Sequence, residues 1–323
     1  MRPLVRLPLL VAVPAVFFGA LPVQAADVNF ITDFGFNGRH AYYYVALEKG
    51  YYKAEGLNVN ILRGQGSIDA IKKVASGAAD IGFADAGALV LARGNDAIPV
   101  KLLAIVYASP PHAIFTTADR GIKVAKDLEG KTVADSAFSA IPVIFKAYAQ
   151  AAGVDAGKVK WISAESAALP SLLATGRVDA VGQFTVGEPL LADTVKPKPI
   201  VRLAYKDAGL DYYGNGIVAT EVMIKENPAV VKAFVRATLK GMQGAFANPA
   251  EAGAILNKYQ KQISPEVAQG ETELVRELAA IPGHRMGVID PARIKSTIDI
   301  MAKSFPVKTA VQPEEMFVPG FVE

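Results

Sequence analysis

Cysteine is absent from all 323 residues, and tryptophan occurs once, at Trp161. A chain without thiols has no disulfide, no thiolate nucleophile, no zinc–thiolate site and no lipidated N-terminal cysteine. Its stability therefore comes from its core. Because 51% of the residues are hydrophobic, a chain of about 300 residues buries such a core readily and is expected to form two domains.

Catalytic and cofactor motifs are also lacking. The sequence has no G-x-S-x-G, no H-E-x-x-H, no phosphate loop of the type GxxxxGK[ST], and no G-x-G-x-x-G after its first predicted strand. His40, His112 and His284 are the three histidines, and their spacing is not typical of a metal site. The prediction is a protein that is not an enzyme, with no catalytic residue, no metal and no cofactor.

An excess of charge of either sign is missing as well. Without Arg2 and Arg6, which lie in a predicted leader, 32 of the 34 Lys and Arg residues remain against 31 Asp and Glu, a formal charge of +1. Proteins that bind nucleic acids or anionic membranes carry a basic stripe. The balance of charge therefore predicts neither kind of partner.

Residues 1–25 are predicted to be a signal peptide. Arg2 and Arg6 precede the apolar run LPLLVAVPAVFFGALPV, and Val23-Gln24-Ala25 is a small-residue cleavage pattern. A membrane anchor is the alternative, but prolines interrupt a run that is already short for the ~20 apolar residues of a spanning helix. We predict cleavage after Ala25 and export, without lipidation, to the periplasm as a soluble monomer.

Strand-like and helix-like runs alternate along most of the remaining chain. The predicted strands are 28–32, 58–62, 80–84, 100–106, 131–134 and 178–184, and the predicted helices are 41–49, 67–75, 141–152 and 168–175. From residue 227 the chain is mainly helical, with helices over 228–248, 250–259, 266–278 and 291–304. This alternation predicts an α/β fold with a largely parallel sheet. Trp161 is predicted to lie in a strand and in the core.

One short pattern occurs twice. VASGAADIGF, at 74–83, resembles LATGRVDAVG, at 173–182. In each, a helix is stopped by a glycine, and an aspartate then precedes a buried strand. The repeat favours two lobes of similar design, with common helix-to-strand turn chemistry as the alternative.

Polar residues follow several of the predicted strands. In doubly wound sheets, ligands bind beyond the carboxyl ends of the strands, and two facing lobes bring several such connections around one cleft that closes on its ligand. Asp33, Asn37 and His40 share the first connection, in which Tyr42, Tyr43 and Tyr44 are consecutive. Consecutive helical residues point about 100° apart, so at most one or two of these tyrosines line a cleft. We select Tyr43, and Tyr213 from a later connection.

Further candidates lie at the start of helices and at strand ends. Gly66 and Ser67 precede a helix whose backbone N–H groups suit an anion or a carbonyl oxygen, although Ser67 as a simple N-cap is the alternative. Ser139 occupies a similar position in the second lobe. Further ligand-binding candidates are Asp85, Gln183 and Glu188. Asp85 and Glu188 have a competing interpretation as favourable charges at helix N-termini.

The same residues carry a resemblance to a known family. The segments concerned are FNGRH (36–40), YVA (44–46), EKGYY (48–52), EGLNV (55–59), SGAADIG (76–82) and DLEGKTV (127–133). They resemble the NMT1/THI5-like proteins of the SsuA/THI5 superfamily, which are substrate-binding proteins of ABC importers. The resemblance continues to about residue 290 and so spans most of the chain after the leader.

This resemblance implies a type II periplasmic binding protein fold, in which two doubly wound α/β lobes close like a Venus flytrap over a cleft. Two hinge crossings are expected near 113–117 and 212–216, the second with glycines that tolerate a bend. Lobe 1 would combine 26–113 with 217–323, and lobe 2 would be 114–216.

The resemblance also implies a ligand. Pyrimidine-binding members begin with D-W-x-P-N-x-x-H, and Asp33, Asn37 and His40 match this pattern. Phe34 replaces the tryptophan, and a phenylalanine stacks on a ring with less area. In those relatives an acidic residue of the other lobe grips ring nitrogens, for which Glu188 is the corresponding candidate.

The predicted function is delivery of a small heteroaromatic ligand to an ABC permease in the inner membrane. The ligand would be a pyrimidine, a thiamin precursor, a flavin-like ring or another vitamin precursor. An alkylsulfonate or taurine-type anion, bound by Arg39 and helix N-termini, is the alternative in the same class. A pyrimidine synthase of the THI5 type or a secreted enzyme is the alternative in another class.

Overall fold

The structure, a computed structural model, describes residues 25–280 and 283–322. The predicted signal peptide therefore lies outside the described residues except for Ala25. Among the helices of the described part, none is long and apolar enough to cross a membrane.

Five strands form the first sheet, in the order β2-β1-β3-β10-β4. They are β1 (Ala26–Ile31), β2 (Leu57–Leu62), β3 (Ile81–Asp85), β4 (Val100–Ile105) and β10 (Asn215–Thr220). The strands β2 and β3 run parallel to β1, whereas β10 is antiparallel to β3 and β4. The sheet is therefore mixed, and the antiparallel strand comes from the far end of the chain.

The second sheet has the same plan, in the order β7-β6-β8-β5-β9. Its strands are β5 (His112–Thr117), β6 (Thr132–Asp135), β7 (Lys160–Ser163), β8 (Ala180–Phe184) and β9 (Ile200–Ala204). Here β6 is parallel to β7 and β8, and β5 is antiparallel to β8 and β9. Each sheet thus places its one antiparallel strand beside a central parallel strand.

Helices cover both sheets. Those between the strands are α1 (Ala41–Glu48), α2 (Tyr51–Ala54), α3 (Ser67–Ala75), α4 (Ala86–Asp96), α5 (Ala140–Ala152), α6 (Leu169–Ala174) and α7 (Glu188–Val195). After β10 come α8 (Glu221–Glu226), α9 (Pro228–Ala247), α10 (Pro249–Tyr259), α11 (Pro265–Ala279), α12 (Pro291–Ser304) and α13 (Pro313–Met316). In α3, Ala70, Ile71 and Val74 are buried, which is the spacing of one apolar helical face.

The repeated pattern in the sequence corresponds to equivalent places in the two sheets. Gly77 and Gly176 follow α3 and α6 with φ of 76° and 71°, the left-handed conformation that glycine adopts without strain. Asp80 then accepts the backbone N–H of Asn29 at 2.8 Å, and Asp179 accepts that of Thr132 at 2.8 Å. In both sheets the aspartate therefore fastens the start of the central strand to its parallel neighbour.

The chain passes between the sheets twice, at 106–111 and at 205–214. Residues 113–117, predicted as the first crossing, lie instead within β5, where Ala113 pairs with β8 and β9. The two crossings are bonded to each other, because the N–H groups of Val106 and Tyr107 donate to the Asn215 carbonyl and Gly214 N–H donates to the Tyr107 carbonyl. We propose the lobes as residues 26–111 with 215–322 and residues 112–214.

Aromatic side chains form much of the core of the first lobe. Tyr42, Tyr43 and Tyr44 are all buried, although one or two of them were expected in the core. The Tyr43 ring lies 4.3 Å from that of Phe30 and 4.2 Å from that of Tyr42. In the second lobe, Trp161 of β7 is partly buried and meets the Phe145 ring edge-on at 5.1 Å.

Candidate functional site

A small cavity lies between the two sheets, at the ends of their parallel strands. Residues of the first lobe line one side of it and residues of the second lobe line the other, namely Asp33, Phe34, Arg39 and Ser67, and Ser139, Ala140, Ile141, Gln183 and Phe184. Its volume is about 10 Å³, which is roughly the space that one water molecule needs. Phe34 and Gln183 also line a cleft of about 530 Å³ on its outer side. The protein is thus closed over its site.

Arg39 occupies the space between two aromatic rings at this cavity. Its guanidinium carbon lies 5.6 Å from the centroid of the Phe34 ring and 5.2 Å from that of Phe184, within the range of a cation–π contact. The Nη1 atom donates to Gln183 Oε1 at 3.0 Å, which joins the two lobes. The side chain is fully buried, yet Nε and Nη2 have no hydrogen-bond partner among the described residues.

Asp33 organises the first connection from behind the cavity. Its Oδ1 accepts from His40 Nε2 at 2.8 Å and lies 3.7 Å from Arg39 Nη2, while its Oδ2 accepts from Asn215 Nδ2 at 2.9 Å. Burial raises the pKa of Asp33, but the Arg39 charge and the His40 hydrogen bond outweigh this effect, so that the pKa lies below its ordinary value. Asp33 is therefore an ionised, buried counter-charge to Arg39.

His40 is a neutral member of the same network. Its Nδ1 accepts the backbone N–H of Asn37 at 3.3 Å, so its proton lies on Nε2 and is donated to Asp33. Burial lowers the pKa of His40, in spite of the Asp33 hydrogen bond. Both ring nitrogens are thus occupied within the connection, and the ring lies outside the cavity lining.

Glu271 of α11 holds the turn that carries Arg39. Its Oε2 accepts the backbone N–H of Arg39 at 2.8 Å, and the carboxyl group is fully buried. Burial raises the pKa of Glu271 to about 7, although the Arg39 charge and the backbone hydrogen bonds act in the opposite direction. A helix 232 residues away in the chain therefore fixes the main chain at Arg39.

The other lobe also has a buried carboxyl group at the cavity side of its sheet, that of Asp135. Asp135 ends β6, its Oδ1 accepts the N–H of Ser136 at 2.6 Å, and its Oδ2 has no partner among the described residues. Burial raises the pKa of Asp135 well above its ordinary value, which favours the uncharged carboxylic acid. A Cβ atom at Gly182 would approach Asp135 Oδ2 to 2.2 Å, so this carboxyl group packs directly against β8.

The two lobes also touch through their backbones beside the cavity. Ile68 N–H donates to the Phe138 carbonyl at 3.1 Å, and the Ser136 hydroxyl donates to the Gln65 carbonyl at 2.7 Å. A Cβ atom at Gly66 would lie 2.0 Å from the Phe138 oxygen, so only glycine fits in the closed form.

Six of the predicted site residues lie at the cavity or at its outer cleft. Asp33, Phe34, Ser67, Ser139 and Gln183 line the cavity. Asn37 lines the outer cleft and donates its side-chain amide to the Phe34 carbonyl. These residues follow strands or begin helices, as the sequence indicated.

The other six lie elsewhere and make structural contacts. His40 is behind Asp33, Tyr43 is in the aromatic core, and Gly66 serves the contact between the lobes. Asp85 caps α4 by accepting Ala88 N–H at 2.7 Å, and its Oδ2 is 3.3 Å from His112 Nε2. Glu188 pairs with Arg202 at 2.7 Å. The Tyr213 hydroxyl accepts Asp290 N–H at 3.0 Å.

The sequence did not indicate the central position of Arg39 or the place of Phe184 in the cavity lining. Arg39 was assigned only to the alternative anion site, although it belongs to the same connection as Asp33. Phe184 directly follows Gln183 at the end of β8, and that position was a usable signal. Among residues 25–280 and 283–322, no group of three or more His, Cys, Asp or Glu side chains is placed to hold a metal ion.

A family model described as NMT1/THI5 like matches residues 37–252 of the chain. The chain belongs to the NMT1/THI5-like family. The formylaminopyrimidine-binding protein of Halalkalibacterium halodurans is 30% identical over 251 residues, which are 76% of this chain and 74% of that protein. The riboflavin-binding protein RibY of Chloroflexus aurantiacus is 28% identical over 250 residues, 75% of this chain and 68% of that protein.

Solved structures share the architecture. The alkanesulfonate-binding protein SsuA of Xanthomonas axonopodis pv. citri, bound to MOPS, superposes with a TM-score of 0.72 at 14% identity, over 91% of this chain and 99% of that chain. Together with the two mixed sheets, this similarity confirms the predicted type II periplasmic binding protein fold. At 14% identity, this structural similarity supports the fold and nothing about the ligand.

Proposed function

We propose that this protein binds a small heteroaromatic solute between its lobes and delivers it to an ABC permease. The observation that carries the proposal is the cavity between the lobes, where a planar cationic group lies between the rings of Phe34 and Phe184. The Phe34 and Phe184 rings also line the cavity, and aromatic side chains there suit a flat ring. The relatives named for binding formylaminopyrimidine and riboflavin support a ligand of this kind.

Contacts from both lobes would couple binding to closure. Asp33, Phe34 and Ser67 approach the ligand from one lobe, and Ser139 and Gln183 approach it from the other. A ligand that touches both sides stabilises the closed form in proportion to its preference for that form. Because the closed cavity holds little more than a water molecule, the lobes open to admit the ligand.

Export is part of the proposal. The leader pattern before Ala25 is the basis for placing the mature chain in the periplasm, and the lack of cysteine is the basis for proposing that it carries no lipid anchor. There the closed, loaded form would be the one that the permease recognises.

Binding without turnover fits the site better than catalysis. Asp33 and His40 form a hydrogen-bonded pair of residue types that often serve in acid–base chemistry. However, His40 is buried, and its two ring nitrogens bond Asp33 and Asn37. The pair is therefore committed to holding the connection in shape.

An alkylsulfonate or taurine-type anion is the second candidate ligand. Arg39 lies at the cavity with two nitrogens that lack partners, and Ser67 and Ser139 are at the N-termini of α3 and α5. Such groups bind anions.

Thermal unfolding of residues 26–323 with a panel of compounds tests the proposal. The panel contains formylaminopyrimidine, hydroxymethylpyrimidine, riboflavin, taurine and octanesulfonate. A ligand at a hundred times its dissociation constant adds about 2.7 kcal/mol to the free energy of unfolding, which raises the midpoint by several degrees. A rise with one of the heteroaromatic compounds supports the proposal. A rise with the sulfonates alone, or with no compound, contradicts it.

A further inference from the structure

Arg39 has an unused hydrogen-bonding edge. In a guanidinium group, Nε–H and one Nη2–H point the same way and form a planar fork, while Nη1 lies on the other side. Nη1 is used by Gln183 Oε1. Nε and Nη2, the two atoms of the fork, are the ones that lack a hydrogen-bond partner, and the side chain is completely buried. Leaving buried donors unpaired costs free energy. A ligand in the cavity that accepts hydrogen bonds from both Nε and Nη2 would remove this cost.

The fork selects a particular pair of ligand atoms. Two parallel N–H donors match two neighbouring acceptors, as in a carboxylate, a sulfonate, or a carbonyl oxygen beside an unprotonated ring nitrogen. The guanidinium carbon lies 5.6 Å from the centroid of the Phe34 ring and 5.2 Å from that of Phe184. A planar ring that pairs with the fork edge to edge would therefore lie near the same two aromatic rings.

The charges nearby decide between a neutral and an anionic acceptor. Asp33 is ionised and lies 3.7 Å from Arg39 Nη2, so the positive charge is already offset. An anionic head group would leave one net negative charge buried, which is costly. A neutral ring with two adjacent acceptors satisfies the fork without that cost.

Donors at the two helix N-termini are also partly occupied in the closed form. Ile68 N–H of α3 donates to the Phe138 carbonyl, and Ile141 N–H of α5 donates to the Ser139 hydroxyl oxygen. The Ile141 bond lies within one lobe and persists when the lobes open, so this donor is not available to an anion.

We propose that Arg39 determines ligand specificity by donating from Nε and Nη2 to two adjacent acceptors on the edge of a neutral heteroaromatic ring. This inference rests on the proposed function and narrows its ligand class to rings with a carbonyl oxygen beside a ring nitrogen. A pyrimidine that presents an amino donor beside its ring nitrogen lacks this acceptor pair.

A matched set of flavins tests the inference on the unmodified protein. Oxidised riboflavin has two edges at which a carbonyl oxygen lies beside an unprotonated ring nitrogen, one at N5 and one at N1. 5-Deazariboflavin and 1-deazariboflavin each have a C–H group in place of one of these nitrogens. We expect one of the two analogues to bind at least tenfold more weakly than riboflavin by titration calorimetry. Equal dissociation constants for all three flavins would overturn the inference and leave the proposed function standing.

Arg39→Lys tests the same point from the protein side, because lysine keeps the charge and loses the fork. We expect the dissociation constant for riboflavin to rise at least tenfold, whereas Arg285→Lys, which changes an exposed arginine outside the cavity lining, leaves it unchanged. Thermal unfolding of Arg39→Lys reports whether the variant is folded, and the flavin comparison does not depend on it.

The remaining outcomes separate the two proposals. If formylaminopyrimidine binds and riboflavin does not, the acceptor-pair inference is wrong and the binding function stands. If octanesulfonate or taurine binds and no heteroaromatic compound does, both proposals are wrong. If no compound raises the unfolding midpoint, the proposed function fails and the inference fails with it.

Discussion

Glu271 is a buried carboxyl group whose protonation state affects the stability of the protein and which also holds the backbone of Arg39. Its carboxyl group accepts the Arg39 N–H, and burial raises its pKa to about 7, above the ordinary value of 4.5. A group whose pKa is raised in the folded state stabilises the protein below its unfolded pKa, and this contribution is lost as the pH rises toward the folded pKa. As the pH rises from about 4.5 to about 7, the contribution of Glu271 to the free energy of unfolding therefore decreases.

The substitution Glu271→Gln is expected to remove this decrease in the free energy of unfolding. The amide keeps an oxygen that accepts from Arg39 N–H and carries no charge at any pH. We expect the free energy of unfolding of the unmodified protein to decrease relative to that of Glu271→Gln by an amount on the order of 3 kcal/mol over this interval. Denaturant unfolding at a series of pH values measures it. Glu277→Gln, at an exposed position of the same helix, is the control and should follow the unmodified protein; identical profiles for all three proteins would contradict the prediction.

Local sequence indicated about half of the site, and the reason is visible in the residues. Asp33, Ser67 and Gln183 follow strands or begin helices, and such positions can be read from the pattern of a short segment. Arg39 owes its position to Gln183 and Glu271, which lie 144 and 232 residues away. No local pattern distinguishes an arginine buried by such distant partners from one on the surface.

At the scale of elements, the N-terminus of α3 meets the connection before α5 across the cleft. Gly66 comes so close to the Phe138 oxygen that a Cβ atom would lie 2.0 Å away, far inside van der Waals contact. This approach exists only when the lobes are closed, because the two residues belong to different lobes. We therefore expect the size of residue 66 to affect closure, although Gly66 does not line the cavity.

Gly66→Ala is expected to oppose closure while leaving each lobe folded. The closed form leaves a cavity of only about 10 Å³ and so excludes a heteroaromatic ligand. Because the added Cβ atom opposes this form, we expect the dissociation constant of such a ligand to fall and the radius of gyration of the ligand-free protein from X-ray scattering to increase. Gly244→Ala is the matched control, because a Cβ atom there meets Val45 at an ordinary 3.4 Å. That change in the interior of α9 should leave binding unchanged and stabilise the helix by up to about 1 kcal/mol. Unaltered binding and scattering in Gly66→Ala would remove Gly66 from this role.

The long helices were predicted closely, whereas the strand β5 was not predicted. The helix predicted at 228–248 is α9, Pro228–Ala247, which starts with a proline and has a regular apolar face. By contrast, all six residues of β5 are buried, so this strand has no alternation of polar and apolar residues. The family resemblance implied a hinge crossing at 113–117, and the structure places these residues in β5.

At the scale of the whole molecule, two bonded crossings join lobes that are closed over a cavity of about 10 Å³. A heteroaromatic ligand is much larger than one water molecule, so opening precedes binding. The observed binding rate in stopped-flow mixing should therefore reach a plateau as ligand concentration rises, because opening becomes limiting. Gly66→Ala, which opposes closure, should raise or abolish the plateau. A rate that stays linear with concentration in the unmodified protein would contradict this prediction.

Trp161, the one tryptophan of the chain, lies in β7 at the edge of the second sheet and packs against Phe145. Its fluorescence is therefore a local reading of the second lobe. Far-ultraviolet ellipticity reads the helices and strands of both lobes together. During a thermal melt, the interval between the emission transition and the ellipticity transition measures how far the two lobes unfold as a single cooperative unit.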